Sequence, residues 1–131
     1  MTRKIKFRGK RIDTGKFAYG DLIHRNDGDV AIYTNLDTWA ENQDDVDAYG
    51  DSFIVANSTV GQFTGLHDKN GREIYEGDIV KSAFTTYIVT WDKECACFSL
   101  KEDNTPHLLA DYIDDIEVFG NIYDNPELLN K

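Results

Sequence analysis

Apolar and polar residues alternate with a period of two through much of this chain and seldom recur at helical spacing. That pattern predicts short strands joined by turns. Residues 17–23 carry one such alternation. Val30, Ala31, Ile32, Tyr33 and Thr34 form a β-branched and aromatic run behind the turn formers Asn26, Asp27, Gly28 and Asp29. The two segments predict a hairpin that follows an N-terminal strand. Residues 38–49 are polar with weak apolar spacing, and a short helix around 39–46 and a loop fit them equally.

Apolar residues return at 52–60, and segments 62–66 and 72–75 then flank Asp68, Lys69, Asn70 and Gly71. This is a hairpin signal, because Asn70 and Gly71 tolerate the positive φ of a tight turn or bulge. Glu76 and Gly77 mark the next turn and lead through Asp78 into Ile79, Val80 and Lys81. Residues 87–91 read as the clearest core strand, 98–100 as a shorter one, and 117–123 as another that contains Gly120. Strands this short and this close predict a small barrel. Its expected core is Phe63, Leu66, Ile74, Tyr75, Ile79, Val80, Ile88, Trp91, Val118 and Ile122. At the end, Asp124 or Asn125 is placed to cap a short helix with Pro126 in its first turn, plugging an open end of the β structure. The expected class is mainly β, a β-rich α+β fold.

A length of 131 residues suits one domain, read here as two lobes, 1–58 and 59–131, in one compact unit. Hydrophobic residues make up 40%, and 24 acidic against 14 basic side chains give a net charge of -10, so a folded, soluble, acidic protein is expected. No run approaches the roughly 18 apolar residues of a membrane span, and the first residues lack the apolar core of a signal peptide. A cytoplasmic protein is the expectation. Cys95 and Cys97, taken as strand residues two apart, have poor geometry for a disulfide and are expected as free thiols.

Charge is unevenly placed. Arg3, Lys4, Lys6, Arg8, Lys10 and Arg11 stand among the first 11 residues with no acid between them. On a strand, Lys4, Lys6, Arg8 and Lys10 share one face while Ile5 and Phe7 share the other. Such a row of cations suits nucleic-acid phosphates, but the acidic remainder of the chain would repel the same polyanion. An acidic protein surface is the better match. Asp37, Glu41, Asp44, Asp45, Asp47 and Asp51 supply one, on this chain or on another copy. Trp39 and Tyr49 within that stretch are candidate partner anchors, since aromatic residues concentrate binding energy. The plainer alternative is a solvated edge strand, with both aromatics tucked into the barrel.

Catalytic patterns fail on spacing. Residues 9–16 imitate a phosphate loop, yet five residues separate the glycines and Phe17 stands where magnesium needs Ser or Thr. Asp45, Asp47 and Gly50 imitate the start of a calcium loop, but Tyr49 and Ala56 occupy positions that must supply oxygen ligands. Cys95 and Cys97 with His67 or His107 lack the spacing of common zinc sites. His24, His67 and His107 lie far apart, and nothing singles out two carboxylates among Asp78, Asp111, Asp114, Asp115 and Glu117. No catalytic residue, cofactor or metal is expected.

Four blocks occur in a set order: IKFRGK at 5–10, FAYGDLI at 17–23, TVGQFTGLHDKNGREIYEGDIVK at 59–81, and IEVFGNIYDNPELL at 116–129. In order and spacing they resemble the YopX family of phage and prophage proteins, with Phe17 where tryptophan is common. Segments 24–57 and 93–112 lie outside the resemblance. It implies a β-rich fold with a small SH3-like barrel in the second half, carried by phages of Gram-positive bacteria, and it brings no particular activity. Glycines and apolar residues of the third block suit turns and core, while Tyr75, Glu76 and Asp78 are the candidates for a shared groove. The resulting expectation is a non-catalytic accessory protein that binds or assembles with a host or phage protein, itself a homo-oligomer. A nucleic-acid binder using the basic strand and a metal-dependent enzyme are the alternatives.

Overall fold

The computed structural model of the chain describes residues 4–34, 51–83, 85–102 and 105–129. Its strands are β1 (Phe7–Lys10), β2 (Phe17–His24), β3 (Val30–Thr34), β4 (Asp51–Val55), β5 (Gly61–His67), β6 (Glu73–Tyr75), β7 (Asp78–Ser82), β8 (Thr85–Asp92), β9 (Cys97–Glu102), β10 (Thr105–Leu108) and β11 (Glu117–Asn121). Single 3-10 turns are the only helical elements among these residues, so the protein is mainly β. No helix among them is long and apolar enough to cross a membrane. The chain divides into two compact units, Met1–Gln62 and Phe63–Lys131.

In the first unit, β1 to β4 form an antiparallel sheet in chain order, and Gly61 and Gln62 lie beside Arg8 and Phe7 on the other side of β1. The sheet curls until β4 meets the end of β1. Arg11 bridges Val55, the Ile12 N–H donates to the Ile54 carbonyl at 3.1 Å, and the Ala56 N–H donates to the Lys10 carbonyl at 2.9 Å. Ala18, Val30, Ile32 and Val55 are enclosed within, with Phe7, Leu22, Phe53 and Val60 packed around them.

Gly9 makes this closure possible, because a Cβ there would lie 2.8 Å from Val55 Cγ2. Val55 is buried and has no room to retreat. Gly9→Ala is therefore expected to cost about 1–3 kcal/mol of stability, most of it recovered in the Gly9→Ala, Val55→Ala double variant. A double-mutant cycle of urea unfolding measures that coupling.

The second unit is an open five-stranded antiparallel sheet in the order β10-β9-β8-β7-β11, with the β5–β6 hairpin. Its core is Ile74, Val80, Tyr87, Val89, Leu100, Leu109, Ile116 and Val118. The turn between β5 and β6 seals the outer edge of β11. The Lys69 N–H donates to the Ile116 carbonyl at 3.1 Å, Arg72 Nη1 donates to the Val118 carbonyl at 2.9 Å, and the Val118 N–H donates to Asp68 Oδ2 at 2.8 Å. The described residues end in a 3-10 turn, Pro126–Leu129, at the place where a short helix is expected. Gly120 has no Cβ because Asn125 Oδ1 and Leu128 Cδ1 would sit 2.8 and 2.9 Å from one.

Among the expected core residues, Phe63, Ile74, Tyr75, Ile79, Val80 and Val118 are buried, and Leu66, Ile88 and Ile122 are half-buried. Trp91 departs from the expectation: it is 48% exposed. Tyr87 and Val89 alternate inward along β8, and Trp91 comes next in that alternation. It stands at the strand's end, against Phe98 at 5.0 Å between ring centroids.

Candidate functional site

The basic N-terminal segment is largely engaged with aromatic rings. Strand β1 starts only at Phe7, so exposed Lys4 and half-buried Lys6 precede it. Its register sets Lys10 opposite Phe17 and Arg8 opposite Tyr19, which puts cations and rings on one face. Arg8 is 5% exposed, with its guanidinium carbon 4.4 Å from the Phe17 centroid. Lys10 Nζ lies 4.7 Å from the same centroid and donates to the Gly15 carbonyl at 3.0 Å. Arg11 stacks on Phe53 at 3.8 Å and grips both carboxylate oxygens of Asp13, a bond that holds the Asp13 carboxyl below its ordinary range. Each cation held over a ring contributes about 0.5–2 kcal/mol, more as it is desolvated. Trp39 and Tyr49, the aromatic anchors expected in the acidic stretch, lie outside the described residues, as do the side chains of that stretch.

Thr59, Thr64, Asp68 and Asp78 of the 59–81 block bind backbone. Thr59 Oγ1 donates to the Ala56 carbonyl at 2.7 Å and accepts the Lys10 N–H at 2.9 Å. Thr64 Oγ1 donates to the Ile74 carbonyl at 2.8 Å. Asp68 is buried; its Oδ1 accepts the N–H groups of Asn70 and Arg72, each at 2.9 Å, and its Oδ2 that of Val118. Burial pushes its pKa up, but the three N–H donors and the Arg72 charge outweigh that and hold it below the ordinary value. Tyr75 and Asp78 are 3% and 2% exposed. The Asp78 carboxylate accepts the Tyr75 N–H at 2.7 Å, and the Tyr75 hydroxyl donates to Glu73 Oε1 at 2.9 Å. Glu76 is half-buried in the same turn, where Gly77 has a φ of +94°. The structure thus brings Tyr75, Glu76 and Asp78 together as a folded turn, with the Tyr75 and Asp78 side chains inside.

Two of the histidines also serve packing. His107, Tyr87 and Tyr112 pack as a triangle of rings with centroids 5.6 to 6.0 Å apart, and His67 forms a T-shaped pair with Phe63 at 5.6 Å. Among the described residues no three His, Cys, Asp or Glu side chains are grouped to hold a metal ion.

An open surface feature stands at the far end of the β8–β9 hairpin. A groove of about 560 Å³ is lined by Thr90, Trp91, Asp92, Lys93, Glu94, Lys101 and Pro106. Strand β10 supplies Pro106, which pairs opposite Lys101 of β9. Exposed Trp91 is the large aromatic residue of this wall, braced edge-on by Phe98, and the charges around it are of both signs, Lys93 and Lys101 with Asp92 and Glu94. The groove thus offers one exposed aromatic ring with charged side chains around it.

Beside the groove, Cys95 and Cys97 are joined by a disulfide, and no free cysteine remains. This corrects the expectation of free thiols. That expectation placed both residues on a strand, whereas Cys95 and Ala96 lie in the turn and only Cys97 begins β9. Ala96 has a φ of +54°, and this left-handed step helps bring the two Cα atoms to 5.4 Å.

The profile of the YopX protein family matches residues 6–130, nearly the whole chain. No curated protein matches it. Among solved structures, the crystal structure of protein EF1440 from Enterococcus faecalis is similar at a TM-score of 0.59 and 20% identity, covering 98% of this chain and 100% of that one. At that identity the likeness is one of fold.

Proposed function

We propose that this chain, which belongs to the YopX family, is a phage-encoded accessory protein that works without catalysis in the bacterial host cytoplasm, by binding a host or phage protein through the β8–β10 groove. The observation that carries this reading is Trp91, a large aromatic residue left 48% exposed at the wall of a groove, while Asp68 and Asp78 of the 59–81 block are buried and accept backbone N–H groups. Tryptophan is among the residues that protein interfaces concentrate, and a polar, charged rim around it is the usual surround. Arg8 and Lys10 are held against Phe17, and the chain's net charge is -10, so nucleic acid is the lesser reading.

The groove carries Lys93 and Lys101 beside Asp92 and Glu94, charges of both signs that a second copy of the chain can match, so a homo-oligomer is the first assembly to test. Light scattering at low salt is expected to give a mass above the 14.9 kDa of one chain, falling in about 1 M salt, where exposed charges are screened within roughly 3 Å. Trp91→Ala is expected to weaken association at least about tenfold, with far-UV circular dichroism unchanged. A monomer at both salts would discard self-assembly. An oligomer indifferent to Trp91→Ala would place its interface elsewhere.

A further inference from the structure

The cysteine bridge lies in an unusual place for a structural staple, because it encloses a single residue, Ala96, within a turn of four exposed residues, 93–96. Bridging two positions so near in sequence removes little freedom from an unfolded chain compared with closing a long loop. The hairpin itself is already set by five paired positions, from Ile88 opposite Lys101 to Asp92 opposite Cys97. What the bridge does hold is the turn's last residue. Ala96 sits at +54° in φ, a region where a Cβ crowds the backbone and where hairpin turns ordinarily place Gly or Asn. Cys95 is exposed, so the bond is open to attack by a thiol from solvent.

We propose that Cys95–Cys97 is a thiol–disulfide exchange site, taking thiols as its substrate class, and that its redox state sets the conformation of the 93–96 turn. A thiolate attacks the exposed Sγ of Cys95. The Cys95–Cys97 bond breaks, a mixed disulfide forms at Cys95, and the Cys97 sulfur leaves as a thiolate that takes a proton from water. A second thiolate then attacks the sulfur of the bound thiol. It releases that thiol as a disulfide and frees Cys95 as a thiolate, which is protonated in turn. Two thiols are oxidised and one protein disulfide is reduced. With the bridge open, nothing covalent holds Ala96 in its left-handed conformation, and the turn relaxes. Lys93 and Glu94 belong to this turn and also line the groove, so the same bond sets the groove's shape. That last consequence rests on the binding reading above, while the exchange chemistry does not.

The test uses the whole chain with Trp39→Phe, so that Trp91 alone reports by fluorescence. The protein is equilibrated against a series of reduced and oxidised glutathione ratios. Thiols are counted by alkylation and mass, and hydrogen exchange is followed in the 89–101 segment. Both cysteines should become alkylable together. Exchange around the turn should quicken about five- to thirtyfold on reduction, the factor that the cost of a left-handed alanine implies, and Trp91 emission should shift. Ala96→Gly, at ease with positive φ, should keep slow exchange when reduced. The Cys95→Ser, Cys97→Ser double variant should match the reduced protein. Cysteines that stay thiols across the whole series, or exchange that does not change on reduction, would overturn the proposal. Neither readout involves a partner, so its failure is distinct from a failure of the groove to bind.

Discussion

Gly20→Ala is expected to remove about 3–5 kcal/mol of stability, a large part of the roughly 5–15 kcal/mol that keeps a domain of this size folded. Two effects combine. At a φ of +153° the residue occupies a region that L side chains seldom adopt, and a Cβ would run into the backbone carbonyl oxygen of Tyr33. Backbone cannot step aside, because Tyr33 is fixed in register opposite Asp21, and Thr34 Oγ1 donates to the Tyr19 carbonyl at 3.0 Å. Gly28 is the control. Its φ is +93° but nothing lies within 4 Å of its missing Cβ, so Gly28→Ala carries only the conformational cost of about 1–2 kcal/mol. Urea unfolding of the two variants separates clash from conformation. Equal losses would mean that the approach of Tyr33 is not what demands glycine.

Removing the Asp68 carboxylate is expected to cost about 2–4 kcal/mol, because Asp68→Ala strips the acceptor from three backbone N–H groups and leaves that of Val118 without a partner. The stabilisation depends on charge, so it has a pH signature. The carboxyl is held below the 3.8 of the unfolded chain. Its contribution is therefore complete above that pH and is lost as pH falls below 3.8 through the folded value. The stability gap between the wild type and Asp68→Ala should narrow when unfolding is measured from about pH 6 down to about pH 2. A gap unchanged by acid would assign the loss to packing.

Strands with a β-branched or aromatic run were legible in the chain. Residues 17–23, 30–34 and 87–91 predict β2, β3 and β8, since alternation and turn formers report the pleat directly. Strand β10 was not legible, because Pro106 argues against a strand. It is tolerated here since β10 pairs on one side only, and an outward-facing position needs no N–H. The expected core takes in both Trp91 and Ile88, although they fall on opposite faces of β8, and leaves out Tyr87 and Val89, the residues of this strand that are buried. The polar run Asp92, Lys93, Glu94 that follows Trp91 was the available sign that the strand, and with it the cover of the core, ends there. The groove beside it depended on bringing β8 and β10 to either side of β9, a tertiary fact that spacing along the chain does not carry. The 59–81 block was legible as turns and core, and its buried Asp68, Tyr75 and Asp78 make hydrogen bonds that build turns.

The seal that the 68–72 turn places over β11 gives the second sheet the character of a polymer with one end already terminated. Among the described residues, another strand can add only beside β10, which is four residues long and lacks a donor at Pro106. Two copies meeting there would close the one open edge that this sheet shows among the described residues, so addition through it would stop at a pair. Asp68 therefore guards more than local stability: beside Lys69 and Arg72, it supplies one of the three hydrogen bonds that keep the other edge covered.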